Sequence, residues 1–229
     1  MLFRSSFAAN YTLSHCYGSP DGFGASTTNV SSGYNIPSNP GYDNGDCTAD
    51  RLHNFTMSAS VQSPRFENRT LRAVVSDWRL AGSFRAITGP WLAITTGLDQ
   101  ALNGQAGTQR PNQISDAVYA DGSTNPANGF IRWLDPNAFQ QPGPGTFGNM
   151  QRNVVRGPSN KNVDLALMRT FPLGNRQGIE VRAEAFNALN WLELNSPAPG
   201  NLSFSSATFG QISTAFPPRI IQLAVKYTF

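Results

Sequence analysis

The sequence is short of charge, short of lysine, and without a long apolar run. Charged residues make up 14% of its 229 positions, well below the ~25% of ordinary soluble domains. Of its 17 basic residues only Lys161 and Lys226 are lysines. The formal net charge of +3 is modest and spread along the chain, so it does not signal nucleic-acid binding and no nucleic-acid partner is expected. No stretch reaches the roughly 18 apolar residues of a membrane-crossing helix, and the mean hydropathy of −0.32 is that of a polar protein. Neither fact speaks against a transmembrane β-barrel, in which only alternate residues of each strand meet lipid. A cleavable export signal is also missing from the first fifteen residues, which leads to the expectation of an incomplete piece of a longer exported protein.

Catalytic chemistry is equally sparse. The chain holds no G-x-S-x-G, no phosphate-cradling glycine loop and no Cys/His dyad. The expectation is a protein that is not an enzyme, with no catalytic residue and no cofactor. Both histidines and both cysteines, His15, Cys16, Cys47 and His53, bracket one long loop, without the C-x-x-C or H-x-x-x-H spacing of a metal site. A Cys16–Cys47 disulfide closing that loop in an oxidising compartment is the favoured reading, with free thiols the alternative. Asn29, Val30 and Ser31 match a glycosylation triplet and receive no role.

What is abundant is Gly (21), Pro (16) and aromatic residues (11%), with many Asn, Ser and Thr. That mixture suits strands joined by polar loops and offers little for helices. Six segments alternate with period two over about 9 to 12 residues, the length that crosses a bilayer when tilted. They are 7–15, 53–61, 77–88, 162–171, 179–190 and 219–229. In the second, Phe55, Met57, Ala59 and Val61 alternate with Asn54, Thr56, Ser58 and Ser60. In the last, Ile221, Leu223, Val225, Tyr227 and Phe229 oppose Gln222, Lys226 and Thr228. The connections 16–52, 91–160 and 191–218 are long and aperiodic; 63–76 and 172–178 are short. A soluble domain rarely carries such long loops, whereas outer-membrane barrels have long extracellular loops and short periplasmic turns. The fold expected is therefore all-β, an antiparallel transmembrane β-barrel fragment of about six long strands. Within the long loops, 91–97, 130–139 and 146–155 are candidates for local pairing. A soluble β-sandwich stays open as the alternative, because its strands alternate in the same way.

Two carboxylates, Glu180 and Glu184, share a strand face. Four residues of strand separate them by roughly 13 Å, beyond the ~5–9.5 Å of a glycosidase pair. With Arg182 between them and Asp164 nearby, a ladder of lumen-facing charges is expected, joined by Arg79 and Arg85 on the polar interior. Trp78, Trp91, Trp133 and Trp191 are candidates for an interfacial belt or for packing within loops.

The end of the chain is the most informative segment. Gln222, Ala224, Tyr227 and Phe229 place a polar residue, a small one and two aromatics at alternate positions of the last strand. This resembles the C-terminal signal read by the barrel-assembly machinery, with Ala224 where glycine is usual. Further pieces are similar to the C-terminal barrel region of Oar-like TonB-dependent receptors of the kind found in Acidobacteria. They include Asp50 to Phe55, Trp78 to Phe84, Trp133 to Phe139, Pro144 to Asn149, Arg156 to Pro158, Asn162 to Leu165, Arg182 to Asn190, Phe209 to Ser213 and Pro218 to Gln222, in the family's order. The resemblance implies that 1–229 is the C-terminal portion of a large barrel whose plug and N-terminal strands are absent. It implies as partners the lipid of a Gram-negative outer membrane, the barrel-assembly machinery, an unidentified substrate, and the TonB system through the missing plug region alone. A surface adhesion or structural outer-membrane protein is the first alternative; a soluble β-sandwich carbohydrate-binding module is the second.

Overall fold

A computed structural model describes residues 4–19, 34–174 and 177–229. Six long strands form one antiparallel sheet: β1 (Arg4–Leu13), β2 (His53–Gln62), β3 (Trp78–Ile87), β4 (Asn160–Pro172), β5 (Gly178–Phe186) and β6 (Ile220–Thr228). Their spatial order equals their order along the chain, so every strand pairs with its sequence neighbour. The protein is all-β and antiparallel, as the alternation predicts. The outer edges of β1 and β6 are unpaired among the described residues. Ten residues at ~3.4 Å span about 34 Å, or about 24 Å when tilted by ~45°. That matches the ~25 Å apolar band of an outer-membrane barrel.

The register places the period-two pattern in phase across the whole sheet. Ala9 lies opposite Met57, Met57 opposite Phe84, and Phe84 opposite Val163. Leu167 then meets Ala183, and Ala183 meets Leu223. One face is thus apolar from edge to edge; a slip of one residue in any pairing would turn that strand's apolar set to the other side. Among the described residues this face has no second layer over it: Leu223 is 78% exposed and Val225 72%. The remaining sheets among the described residues are four pairs of two-residue strands. A soluble sandwich requires a partner sheet on the apolar face, and none lies there among the described residues.

The hydrophobic core lies instead in the loops. Leu92, Ile94, Val118, Leu134, Ala138, Phe139, Met150, Val155 and Phe209 form one buried cluster. Around Phe139, the rings of Phe204 and Phe209 pack at 6.4 and 5.4 Å between centroids. The described parts of the connections, 14–19, 34–52, 88–159 and 187–219, therefore build a compact cap at one end of the sheet. The candidate stretches do pair, and their partners are distant in sequence. Trp91–Leu92 pairs with Val155–Arg156, Ile131–Arg132 with Gln211–Ile212, and Phe139–Gln140 with Asn112–Gln113.

Three further readings of the sequence need correction. First, 63–76, read as a short connection in a chain that offers little for helices, holds the helix α1 (Arg69–Val75). Asn68 caps it by accepting from the Thr70 and Leu71 backbone N–H groups at 2.9 and 3.2 Å, a local signal outweighed by the strand-rich composition. Second, the fifth strand ends at Phe186 rather than at 190. Asn187 and Asn190 take left-handed backbone conformations, φ 48° and 53°, which asparagine tolerates and a strand does not. Third, glycine, read above as part of a composition suited to polar loops, also serves close approach between segments. A Cβ at Gly89 would strike the Gly157 carbonyl, and Gly210, at φ 69°, lies against Leu134. The Asn29 triplet and the middle of the 172–178 turn, residues 175 and 176, lie outside the described residues. The ends of that turn close through the Leu173 N–H and the Gln177 carbonyl, 2.9 Å.

Candidate functional site

The face opposite the apolar one is polar. Asn10, Thr56, Arg85 and Asn162 form one row across β1 to β4, with Ala8, Ser58, Ser83 and Asp164 in the next. Small side chains on four neighbouring strands leave space. Under the cap this face bounds a cavity of about 590 Å³, lined by Asn10, Thr56, Arg85, Asn162, Asp164 and Glu193, with Phe186 and Phe216 on its apolar side. Asp164 Oδ1 accepts from Asn162 Nδ2 (2.7 Å) and from the Asn187 N–H (3.0 Å). Glu193 Oε2 accepts from the Lys161 N–H at 2.7 Å. Arg85 makes no ion pair among the described residues. Amides, one guanidinium and an aromatic wall can hold a polar solute by hydrogen bonds.

The charges singled out on β5 share this polar face. Arg182 Nη2 meets Glu180 Oε1 at 2.8 Å and Arg182 Nη1 meets Glu184 Oε1 at 3.6 Å. Both carboxylates are thus engaged by the guanidinium between them. Asp164 sits on β4 nearer the cap, tied to Asn187 rather than to this trio. Gln222 lies opposite Glu184, and Ala224 opposite Arg182. Tyr227 and Phe229 stack at 5.9 Å on the apolar side.

Cys16 and Cys47 are joined in a disulfide, Cα atoms 5.4 Å apart. Their sulfurs are therefore not thiolates able to bind a metal. His15 lies 3.8 Å from Asp46, and His53 pairs through Nδ1 with the Tyr11 hydroxyl at 2.8 Å.

Sequence reasoning missed the polar groups that lock the cap. Asp43 and Arg110, both buried, pair at 2.9 Å. Asp43 also accepts from the Asn35 N–H and Nδ2 at 2.6 and 2.7 Å, while Arg110 donates to the Tyr42 and Met150 carbonyls. Burial raises the Tyr42 phenol above its ordinary value, an effect the Arg110 charge partly offsets. Burial, then the Arg110 charge, lowers Arg152. No spacing signal links positions 43 and 110. A second lock joins two stretches that carry the family resemblance: Arg156 approaches Asp50 at 4.0 Å, and Asp50 accepts from the Ser14 hydroxyl at 2.6 Å. Arg156 also lies over the Trp91 ring at 3.7 Å. Trp133 packs edge-on against Tyr119, and Trp191 lies under the Lys161 ammonium. Three of the four tryptophans are cap residues; Trp78 alone belongs to the sheet's apolar face.

Aromatics mark both ends of that face. Tyr11, Phe55 and Phe84 lie toward the cap, with Phe55 and Phe84 at 5.9 Å. Trp78, Phe171 and Tyr227 lie toward the short turns, where Phe171 and Tyr227 both flank Ile179. An apolar band between aromatic girdles, a polar reverse face and folded loops at one end define the wall of a transmembrane β-barrel. The chain belongs to the outer membrane beta barrel domain family, whose model matches residues 4–222. No curated protein and no solved structure matches it.

Proposed function

We propose that the chain is the C-terminal part of a TonB-dependent receptor barrel in a Gram-negative outer membrane, importing an unidentified substrate when its plug and remaining strands are present. The observation that carries this reading is an apolar sheet whose two edges, β1 and β6, have no strand partner among the described residues. Unpaired backbone is costly in lipid, so closure needs further strands. The cavity beneath the cap suits a solute-contacting wall, and the Oar-like pieces supply the transporter assignment. On this reading the chain is a conduit wall and not an enzyme, and the Gln222 to Phe229 segment is the handle for barrel assembly.

The folded cap favours a second reading, a surface adhesion protein that transports nothing. Both are tested on the native polypeptide, with antibody to the cap and in-cell crosslinking to TonB. A band far larger than the 24.8 kDa of this chain that crosslinks to TonB is expected. A band that never crosslinks overturns transport and leaves adhesion. Deleting Phe229 is expected to lower the amount recovered in the outer membrane; undiminished recovery overturns the assembly role.

A further inference from the structure

Helix α1 is exposed at all of its seven residues. Leu71, Val74 and Val75 occupy i, i+3 and i+4, a single apolar stripe, and are 46%, 62% and 43% exposed. A helix about 10 Å long that buries none of its own residues needs another source of order. That source is the turn end of the sheet's apolar face. The Trp78 indole donates to the Val74 carbonyl at 2.8 Å. Arg169, itself buried, donates from Nη1 to Val74 O at 3.1 Å and from Nη2 to Arg72 O at 3.2 Å. Trp78 and Arg169 are register partners on the apolar face, and the Arg169 guanidinium also lies over the Phe171 ring at 4.5 Å. Two side chains from the lipid-facing surface thus hold the last turn of α1, at the level of the Trp78, Phe171 and Tyr227 girdle.

We propose that α1 lies in the periplasmic interface of the outer membrane, with Leu71, Val74 and Val75 in the boundary between headgroups and acyl chains. The partner is phospholipid of the inner leaflet. Three features argue for it. The stripe is continuous with the apolar band through Trp78 and Arg169. The segment is cationic, with Arg65, Arg69 and Arg72 against Glu67 and Asp77. Arg69 makes no ion pair among the described residues and lies on the far side of the helix from the stripe, on the polar face that an interfacial helix turns to water and headgroups. Interfacial helices combine these traits, and the aromatic girdle fixes the depth.

The inference rests on the barrel reading, and the test separates the two. Both cysteines of these 229 residues are held in the disulfide, so an added cysteine is the one free thiol within them, and membranes carrying the unsubstituted protein give the labelling background to subtract. Val74→Cys, Val75→Cys, Ala73→Cys, Leu167→Cys in the band and Asp121→Cys on the cap are each spin-labelled in isolated native outer membranes. Collision with oxygen, which partitions into lipid, is compared with collision with a water-soluble nickel chelate. The expected pattern is oxygen-dominated at Leu167, intermediate at Val74 and Val75, and nickel-dominated at Ala73 and Asp121. Nickel dominance at Val74 and Val75 with oxygen dominance at Leu167 overturns the helix placement alone. Protection of Val74 from both agents also overturns it, because a protein then covers the stripe. Nickel dominance at Leu167 overturns the barrel reading beneath it.

Discussion

At the scale of single residues, the cap depends on a few polar groups that low exposure makes expensive to disturb. Asp43→Ala leaves the Arg110 guanidinium buried without its carboxylate, and removing one partner of a buried pair costs about 3–5 kcal/mol. Trypsin is expected to cleave the cap of this variant in intact outer membranes while the strands stay protected. Asp43→Leu with Arg110→Met, which removes both charges, is expected to cost less. Asp99 makes a different prediction. Its carboxylate accepts from Gln109 Nε2 (2.6 Å) and from the Gly104 and Asn103 N–H groups. The Gln109 bond leads the effects that hold its pKa below the ordinary carboxylate value. The unfolded loop therefore takes up the proton first. Stability from this turn is complete above about pH 4 and is lost as pH falls through the lower folded value. Asp99→Asn is expected to flatten the acid limb of protease susceptibility at 99–109.

Among elements, the strands and the loops differ in how much of them is legible. The six strands are visible because lipid on one side and polar groups on the other impose alternation at every position, as Phe55 to Val61 illustrate. Their ends are less visible: Asn187 stops β5 by adopting a left-handed conformation that alternation does not report. The cap is nearly invisible, because its order comes from contacts such as Trp91 with Arg156 and Gly89 with Gly157, which join positions some 65 residues apart. The polar face of the cavity was legible as a set of residues; the cap over it was not. Helix α1 had one local cue, the Asn68 cap. The disulfide belongs at this scale too. It closes a loop with a sequence separation of 31, for which chain entropy gives about 3–4 kcal/mol. Cys16→Ser is expected to make the first loop protease-sensitive and to leave the sheet's protection unchanged.

For the whole molecule, the two faces of one sheet make opposite demands on neighbouring residues. Leu165 and Ala166 are adjacent in the middle of β4, yet Leu165 faces the band and Ala166 lies opposite Glu184. Leu165→Arg near the midplane is expected to cost about 2–4 kcal/mol and to reduce heat-resistant barrel in the outer membrane. Ala166→Arg, with Glu184 across from it, is expected to assemble at near-native levels. Equal damage from both would contradict the assignment of faces. With the long loops outside, as the barrel reading has them, the cap carries a consequence for what the outside world can recognise. Its core draws on the second and third long loops, Leu92 and Phe139 from one and Phe209 from the other, while Asp43 ties the first loop to Arg110. Any outward patch is therefore a mosaic of segments remote in sequence. Antibodies or phage adhesins raised against the native cell will read a discontinuous epitope, and peptides copied from a single loop will fail to compete.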